Sequence, residues 1–366
     1  MRRALIALHE GVAGGATLSV LRCVPILEER GWELAFWAPR PSEVFDRLAA
    51  EGRDVVGASP QPAYSRAALR LEPGTVARLR AAPSYFRRFA AAARRARPDL
   101  VHANSLTTIG ELVAARAVGR RALFHLHEMA PPGRKGALAA RVARRAANRV
   151  VAVSEACARS WAVDGWSPGV VPEGCPIPAE PPPLPGGRRL VVGTVGVIAP
   201  RKGIDVFLDA AEEAMRRGLE VDFELVGAPT EPLEADWARR TIDRARALGV
   251  RHRLRADVGA ALAGWDAFVL ASRRDPFPIS LLEAMASARP VIATRVDGIA
   301  EQVAPGTGIL VAPEDPAALA AAIASIAALP PERRREIGAA ARRRARRFSI
   351  ERQTEALEAA YLETIG

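Results

Sequence analysis

Residues 175–187 read Cys-Pro-Ile-Pro-Ala-Glu-Pro-Pro-Pro-Leu-Pro-Gly-Gly, six prolines in thirteen positions. Proline has no N–H to donate and its ring blocks the preceding turn, so this stretch is neither helix nor inner strand. It divides the chain. On both sides of it, short apolar runs with strand character alternate with helical patterns. Before it the runs fall at 3–8, 33–36, 54–57, 99–102, 122–126, 150–153 and 170–174; after it they fall at 190–195, 222–227, 266–272, 291–294 and 308–311. Strand alternating with helix predicts a parallel sheet covered on both faces, here twice, and 366 residues exceed what one compact core holds. We therefore expect two Rossmann-like domains, one of residues 1–178 joined by a last helix at 349–366, the other of residues 179–348. The proline-rich segment and residues 348–351 would be the crossings and the hinge.

Ligands of such sheets sit beyond the carboxyl ends of the strands. In the second half, 196–205 reads Gly-Val-Ile-Ala-Pro-Arg-Lys-Gly-Ile-Asp, so Arg201 and Lys202 stand just before a helix that starts near Gly203. Two cations and a helix N-terminus form an anion site suited to a diphosphate. Gly227, at the end of the following strand, should approach the same ligand. Further on, 273–294 carries two carboxylates, Asp275 and Glu283, with Pro276 and Pro278 between them holding the backbone out of helix until Ile279. Asp275 then lies on a loop and Glu283 about one turn inside a helix of 279–287. Carboxylates there accept hydrogen bonds from hydroxyl groups flanking a phosphate. Hydroxyl, phosphate and hydroxyl in series describe a nucleotide sugar.

The carboxylate pair running into Leu282-Glu-Ala-Met-Ala286 and Pro290-Val-Ile-Ala293, together with Gly196-x-Ile-x-x-Arg-Lys-Gly203, resembles the retaining glycosyltransferases of family 4. That resemblance implies the GT-B fold: two Rossmann-like domains with parallel sheets facing a central cleft, and a C-terminal helix crossing back to the first domain. It also implies transfer of a sugar from a nucleotide-diphosphate donor to an acceptor hydroxyl, the acceptor being a small molecule or a lipid-linked glycan. Arg201, Lys202 and Asp275 are then catalytic candidates, with His127 over the donor sugar. Gly14, Gly15, His102, Gly227, Phe277, Pro278, Ile279, Ser280 and Glu283 form the substrate-binding set. The chain departs from the family at Asp275, where Glu is usual, and at Pro278, where Gly is usual. A GT-B epimerase or phosphorylase, or a nucleotide-binding Rossmann protein without transferase activity, are the alternatives.

In the first half, 10–16 is a glycine loop between strand and helix, which lets backbone N–H groups approach an anion. Its spacing lacks the Gly-x-Gly-x-x-Gly of dinucleotide oxidoreductases. His102, His125 and His127 fall at strand ends. The formal charge is +11, but only Lys135 and Lys202 are lysines among 52 basic residues, and aromatics do not interleave with the basic runs. Nucleic-acid binding is not expected. The basic segments 87–97 and 134–149 read as solvated helix faces, with docking on an anionic membrane surface as the alternative, at about 1 kcal/mol per basic residue. The helix of 333–347 likewise reads as solvated. Three cysteines without ligand spacing, no signal sequence and no apolar run of membrane length predict a cytoplasmic protein with reduced thiols. No Asp-x-Asp or histidine cluster predicts a metal, and no cofactor is expected.

Overall fold

A computed structural model of the protein describes residues 2–8, 14–58, 75–187, 189–229, 234–254 and 257–366, and most of the glycine loop, 9–13, lies outside them. The chain separates into two compact units, one of Met1–Glu173 with Ile350–Gly366, the other of Gly174–Ser349. The first holds β1 (Arg2–Ala7), β2 (Trp32–Pro39), β3 (Asp54–Ala58), β4 (Leu100–Asn104), β5 (Arg121–Leu126), β6 (Arg149–Ala152) and β7 (Gly169–Val170). Its helices are α1 (Gly15–Glu29), α2 (Glu43–Ala50), α3 (Thr75–Ala96), α4 (Ile109–Ala117), α5 (Arg134–Ala146) and α6 (Glu155–Ser160). The second holds β8 (Leu190–Val195), β9 (Val221–Val226), β10 (Arg251–Arg253), β11 (Ala267–Leu270), β12 (Val291–Thr294) and β13 (Ile309–Val311). Its helices are α7 (Ile204–Arg216), α8 (Ala235–Ala247), α9 (Val258–Ala263), α10 (Ile279–Ala286), α11 (Ile299–Gln302), α12 (Pro316–Ala327) and α13 (Pro331–Ala345). The last helix, α14 (Ile350–Ile365), returns to the first unit.

Both sheets are parallel, with orders β3-β2-β1-β4-β5-β6-β7 and β10-β9-β8-β11-β12-β13. In each, the strand order reverses between the first strand and the fourth, which sets the crevice where a ligand binds beyond the strand ends. Strand β10 was not legible in the sequence, because Arg-His-Arg at an edge has no apolar alternation and leaves its outer residues exposed.

Each unit buries its own core. In the first, Phe36, Leu100, Leu123 and Val151 pack with Leu357, Ala360 and Tyr361 of α14. Trp32 meets Tyr361 edge-on at 5.1 Å, and its indole N–H donates to Glu358 at 3.1 Å. The closing helix is therefore part of that unit's core. In the second, Phe207, Phe223, Val269, Ile292, Leu319 and Ile323 fill the space between sheet and helices.

The proline-rich segment does not hang free. Arg289, fully buried, donates to the carbonyls of Trp265 (2.8 Å), Ser287 (2.9 Å), Pro182 and Pro183 (3.1 Å). Arg342 donates to Ala286 (2.6 Å), Pro178 and Ala179 (3.1 Å). Proline carbonyls keep both lone pairs available and have no competing N–H of their own, so two arginines bind the segment to the second unit. Helix α13 is accordingly not wholly solvated: Arg342 is buried, and Arg344 donates to the carbonyls of Gln302 and Glu301. Burial pushes the Arg289 guanidinium down to about 10. Arg289→Met, similar in volume, should lower the unfolding free energy by about 3 kcal/mol, since four carbonyls lose a charged donor. A loss below about 1 kcal/mol in urea titration would show that those carbonyls find other partners.

Candidate active site

At the carboxyl ends of β8 and β9 two glycines allow the chains to touch. A Cβ on Gly227 would lie 1.9 Å from the Gly196 carbonyl, so no other residue fits without moving the backbone. After Gly196 the chain makes a single 3-10 turn, Pro200–Lys202, and then Gly203 at φ +62° opens α7. A Cβ on Gly203 would lie 1.9 Å from the Ala271 carbonyl. That close approach brings the turn against the loop that leaves β11, where Arg273 N–H donates to the Arg201 carbonyl at 2.8 Å.

The consequence is an ion pair that the sequence did not show. Lys202 Nζ lies 2.5 Å from Asp275 Oδ2, both side chains being largely buried, and Ser272 Oγ donates to the same oxygen at 3.2 Å. Asp297 accepts from the Asp275 N–H at 2.9 Å and from Arg274 Nε at 3.0 Å, fixing the loop from its other side. Arg273 holds Asp205 with two bonds of 2.8 and 2.9 Å and also reaches Glu314. Burial alone would raise the Asp205 carboxyl, but the Arg273 bonds outweigh it and hold it below the usual carboxylate range. Neither α7 nor α10 is capped by the side chain of its N-cap residue, but at α7 the Asp205 carboxylate itself accepts from the Asp205 and Val206 N–H groups.

Pro278 is extended at φ −69° and ψ 117°, and α10 begins at Ile279. Glu283 is half-buried and Ser280 stands at the helix start, also half-buried. The Phe277 ring is buried and packs edge-on to Phe348 at 5.4 Å. Gly298 admits the loop here, since a Cβ would meet the Pro276 carbonyl at 1.9 Å. Arg201, Lys202, Asp275, Glu283 and Gly227 thus belong to one edge of one sheet.

The first unit carries a second polar cluster at its own strand ends. His102 is fully buried, with Nδ1 2.8 Å from the Tyr361 hydroxyl. His125 is fully buried beside it, ring centroids 5.4 Å apart, and His127 lies 4.2 Å beyond. His127 has both ring nitrogens engaged, Nδ1 with Glu173 at 2.7 Å and Nε2 with the Asn104 oxygen at 2.8 Å. Asn104 Nδ2 donates to the Ala16 carbonyl at 3.1 Å, next to Gly14 and Gly15. Glu128 accepts from Ser105 Oγ and from the Leu106 N–H at 3.0 Å. Burial pushes His102 down to about 3 and His125 well below its ordinary value, the charge of His127 adding to both. Asn104 was visible in the sequence only as a neighbour of His102. Glu173 gave no signal, because it stands 46 residues from its partner.

The chain is similar to known glycosyltransferases along most of its length. A model described as Glycosyl transferases group 1 matches residues 189–328, and one described as Glycosyltransferase Family 4 matches 13–175. The D-inositol 3-phosphate glycosyltransferase of Geodermatophilus obscurus is 38% identical over 182 residues, 46% of this chain and 39% of that protein. The alpha-D-kanosaminyltransferase of Streptomyces kanamyceticus is 32% identical over 48% of this chain and 46% of its own length. The chain thus spans under half the length of these curated relatives. Among solved structures, Anabaena HepE in complex with UDP and glucose superimposes with a TM-score of 0.82 at 22% identity, covering 99% of this chain and 100% of that one. Sucrose-phosphate synthase of Thermosynechococcus elongatus gives 0.77 at 21% identity, covering 99% and 98%. The fold is GT-B. The chain belongs to the group 1 and family 4 glycosyltransferases, whose two domain models it matches in turn.

A largely buried pair is costly to break from one side. Lys202→Ala or Asp275→Ala alone should each destabilise the protein by about 3 kcal/mol, and the double variant by less than the sum. A thermodynamic cycle from urea unfolding measures the difference; strict additivity would mean the pair is not formed in solution.

Proposed function

We propose that the protein is a retaining glycosyltransferase that moves a sugar from a nucleotide-diphosphate sugar to an acceptor hydroxyl. The observation that carries this is the edge at β8 and β11. There Arg201, Lys202 and the N-termini of α7 and α10 gather beside two carboxylates. An ammonium has three donors, so Asp275, itself held by Ser272, orients Lys202 while a diphosphate oxygen would take another of its hydrogens. Negative charge grows on the diphosphate as the glycosidic bond breaks. Cations held in place beforehand stabilise that charge without reorganising. Glu283, half-buried on the first turns of α10, suits the ribose hydroxyls. The counter-charge comes from side chains, so EDTA should leave transfer intact.

One relative named above is a D-inositol 3-phosphate glycosyltransferase, which supports a small polar acceptor. A lipid-linked acceptor has one feature in its favour. An open groove between α3 and α4 is lined by Phe86, Ala90, Val113 and Ala114 with Arg87 and Arg94 beside them. No helix among the described residues is long and apolar enough to cross a membrane. Contact with a bilayer would therefore be peripheral, and retention of the protein on anionic but not neutral vesicles in co-sedimentation tests it. The three cysteines are buried and form no disulfide, in keeping with a reducing, cytoplasmic setting.

A thermal-shift panel of nucleotide sugars identifies the donor, because a ligand at 100 times its Kd stabilises by about 2.7 kcal/mol. With that donor, Arg201→Ala or Lys202→Ala should lower kcat on the order of 10²-fold. Glu283→Gln should mainly raise the donor KM, as the ribose contact is the same in ground and transition states. Near-normal turnover of the folded Arg201 and Lys202 variants would remove the diphosphate assignment and the transferase reading with it.

A further inference from the structure

The amide of Asn104 is oriented by its two neighbours. The Ala16 carbonyl has no hydrogen, so the group facing it at 3.1 Å is the Asn104 NH₂, and the group facing His127 Nε2 at 2.8 Å is the Asn104 oxygen. That oxygen has no hydrogen either, so Nε2 must carry one. On the other side of the ring, Nδ1 faces a Glu173 oxygen at 2.7 Å, a contact that also needs a hydrogen between the atoms. Glu173 is 4% exposed, and its second oxygen is buried with no partner among the described residues. A carboxylate so placed favours a charged ring.

We propose that Glu173, His127 and Asn104 form a positioning chain. Glu173 keeps hydrogen on both nitrogens of His127, His127 fixes Asn104 oxygen-first, and the Asn104 NH₂ pins the first turn of α1 behind Gly14 and Gly15. A ring without the Nε2 hydrogen would set two acceptors face to face. Turning the Asn104 amide to answer it would put oxygen against the Ala16 carbonyl, so the pin is lost with the proton. His127 then serves as a fixed donor and not as a base, since no lone pair remains on either nitrogen.

The surrounding titratable groups leave the charge on this pair. His125 on β5 and His102 on β4 are neutral, pushed down by burial and by the His127 charge. Cys23 on α1 is a thiol, burial pushing it up to about 12, and Tyr361 on α14 is held well above its ordinary value by burial. The nearby Glu128 is occupied by Ser105 and Leu106.

Nitrogen NMR of the intact protein with labelled histidine tests the proton assignment without any substrate. At pH 7.5 His127, identified by loss of its signals in His127→Gln, should show the pattern of a doubly protonated ring, while His102 and His125 show neutral patterns. Glu173→Gln should make the His127 ring neutral, and Glu173→Asp should restore the charged pattern. Asn104→Asp keeps an acceptor for Nε2 but cannot donate to Ala16, so the ring should stay charged while the pin is lost. The kinetic arm rests on the transferase reading: Asn104→Asp should raise the donor KM about tenfold with a smaller change in kcat. A neutral His127 ring in the unaltered protein overturns the proposal, whatever the variants do. An unchanged donor KM in folded Asn104→Asp overturns the positioning role. If the ring is charged but no nucleotide sugar stabilises the protein, the transferase reading fails and the proton assignment stands.

Discussion

Two loops at neighbouring strand ends of the second unit are laced together through their backbones, and the candidate donor site depends on that lacing. The Arg273 N–H bonds the Arg201 carbonyl at 2.8 Å, and Gly203 packs bare against the Ala271 carbonyl. A side chain at 203 would place its Cβ 1.9 Å from the Ala271 carbonyl, so the turn that carries Lys202 would have to shift. Arg273 reinforces the same junction from its side chain, gripping the Pro200 carbonyl at 2.7 Å and Asp205 at 2.8 Å. Backbone contacts and the Arg273–Asp205 ion pair together therefore locate the Lys202–Asp275 pair. Coulomb attraction then holds what the backbone has already brought within reach.

The first unit solves a different problem with a similar economy of parts. Three buried histidines at adjacent strand ends would repel one another if all were charged. Burial resolves this by keeping His102 and His125 neutral, which leaves the charge to the one ring that has a carboxylate partner. The C-terminal helix takes part, because Tyr361 answers His102 while its ring packs on Trp32. Residues more than 250 positions apart in sequence thus share one polar layer, and the helix that returns to this unit is needed to close it.

Buried arginines act as structural cross-links. Arg289 and Arg342 bind a proline-rich stretch whose prolines lack the N–H groups to build a ladder, and the planar guanidinium, with five donors, serves several of its carbonyls at once. Cys175 N–H also bonds the Phe348 carbonyl at 3.0 Å, so the chain's entry into the second unit and its exit lie side by side. The abundance of arginine in the sequence concealed this use. Most of the arginines are solvated, and nothing local separates Arg342 from its exposed neighbours on α13.

The order of strands and helices, the interruption at 175–187, the start of α10 at Ile279 and the placing of Arg201, Lys202 and Asp275 at strand ends were legible because they depend on nearest neighbours: proline geometry, apolar periodicity and glycine at turns. The edge strand Arg251–Arg253 was not, since its pairing with β9 comes from register and not from its own composition. Partnerships were decided only in three dimensions. Lys202 and Asp275 are 73 residues apart, His127 and Glu173 are 46 apart, and Arg289 and Pro182 are 107 apart. Such pairs form where strand ends converge, so their identity follows from the order of strands in the sheet and from which carbonyls burial leaves without a donor. Sequence determines which groups each strand end offers; tertiary structure decides which of them meet, because a buried charge or amide must find its partner among whatever the fold has placed within about 3 Å.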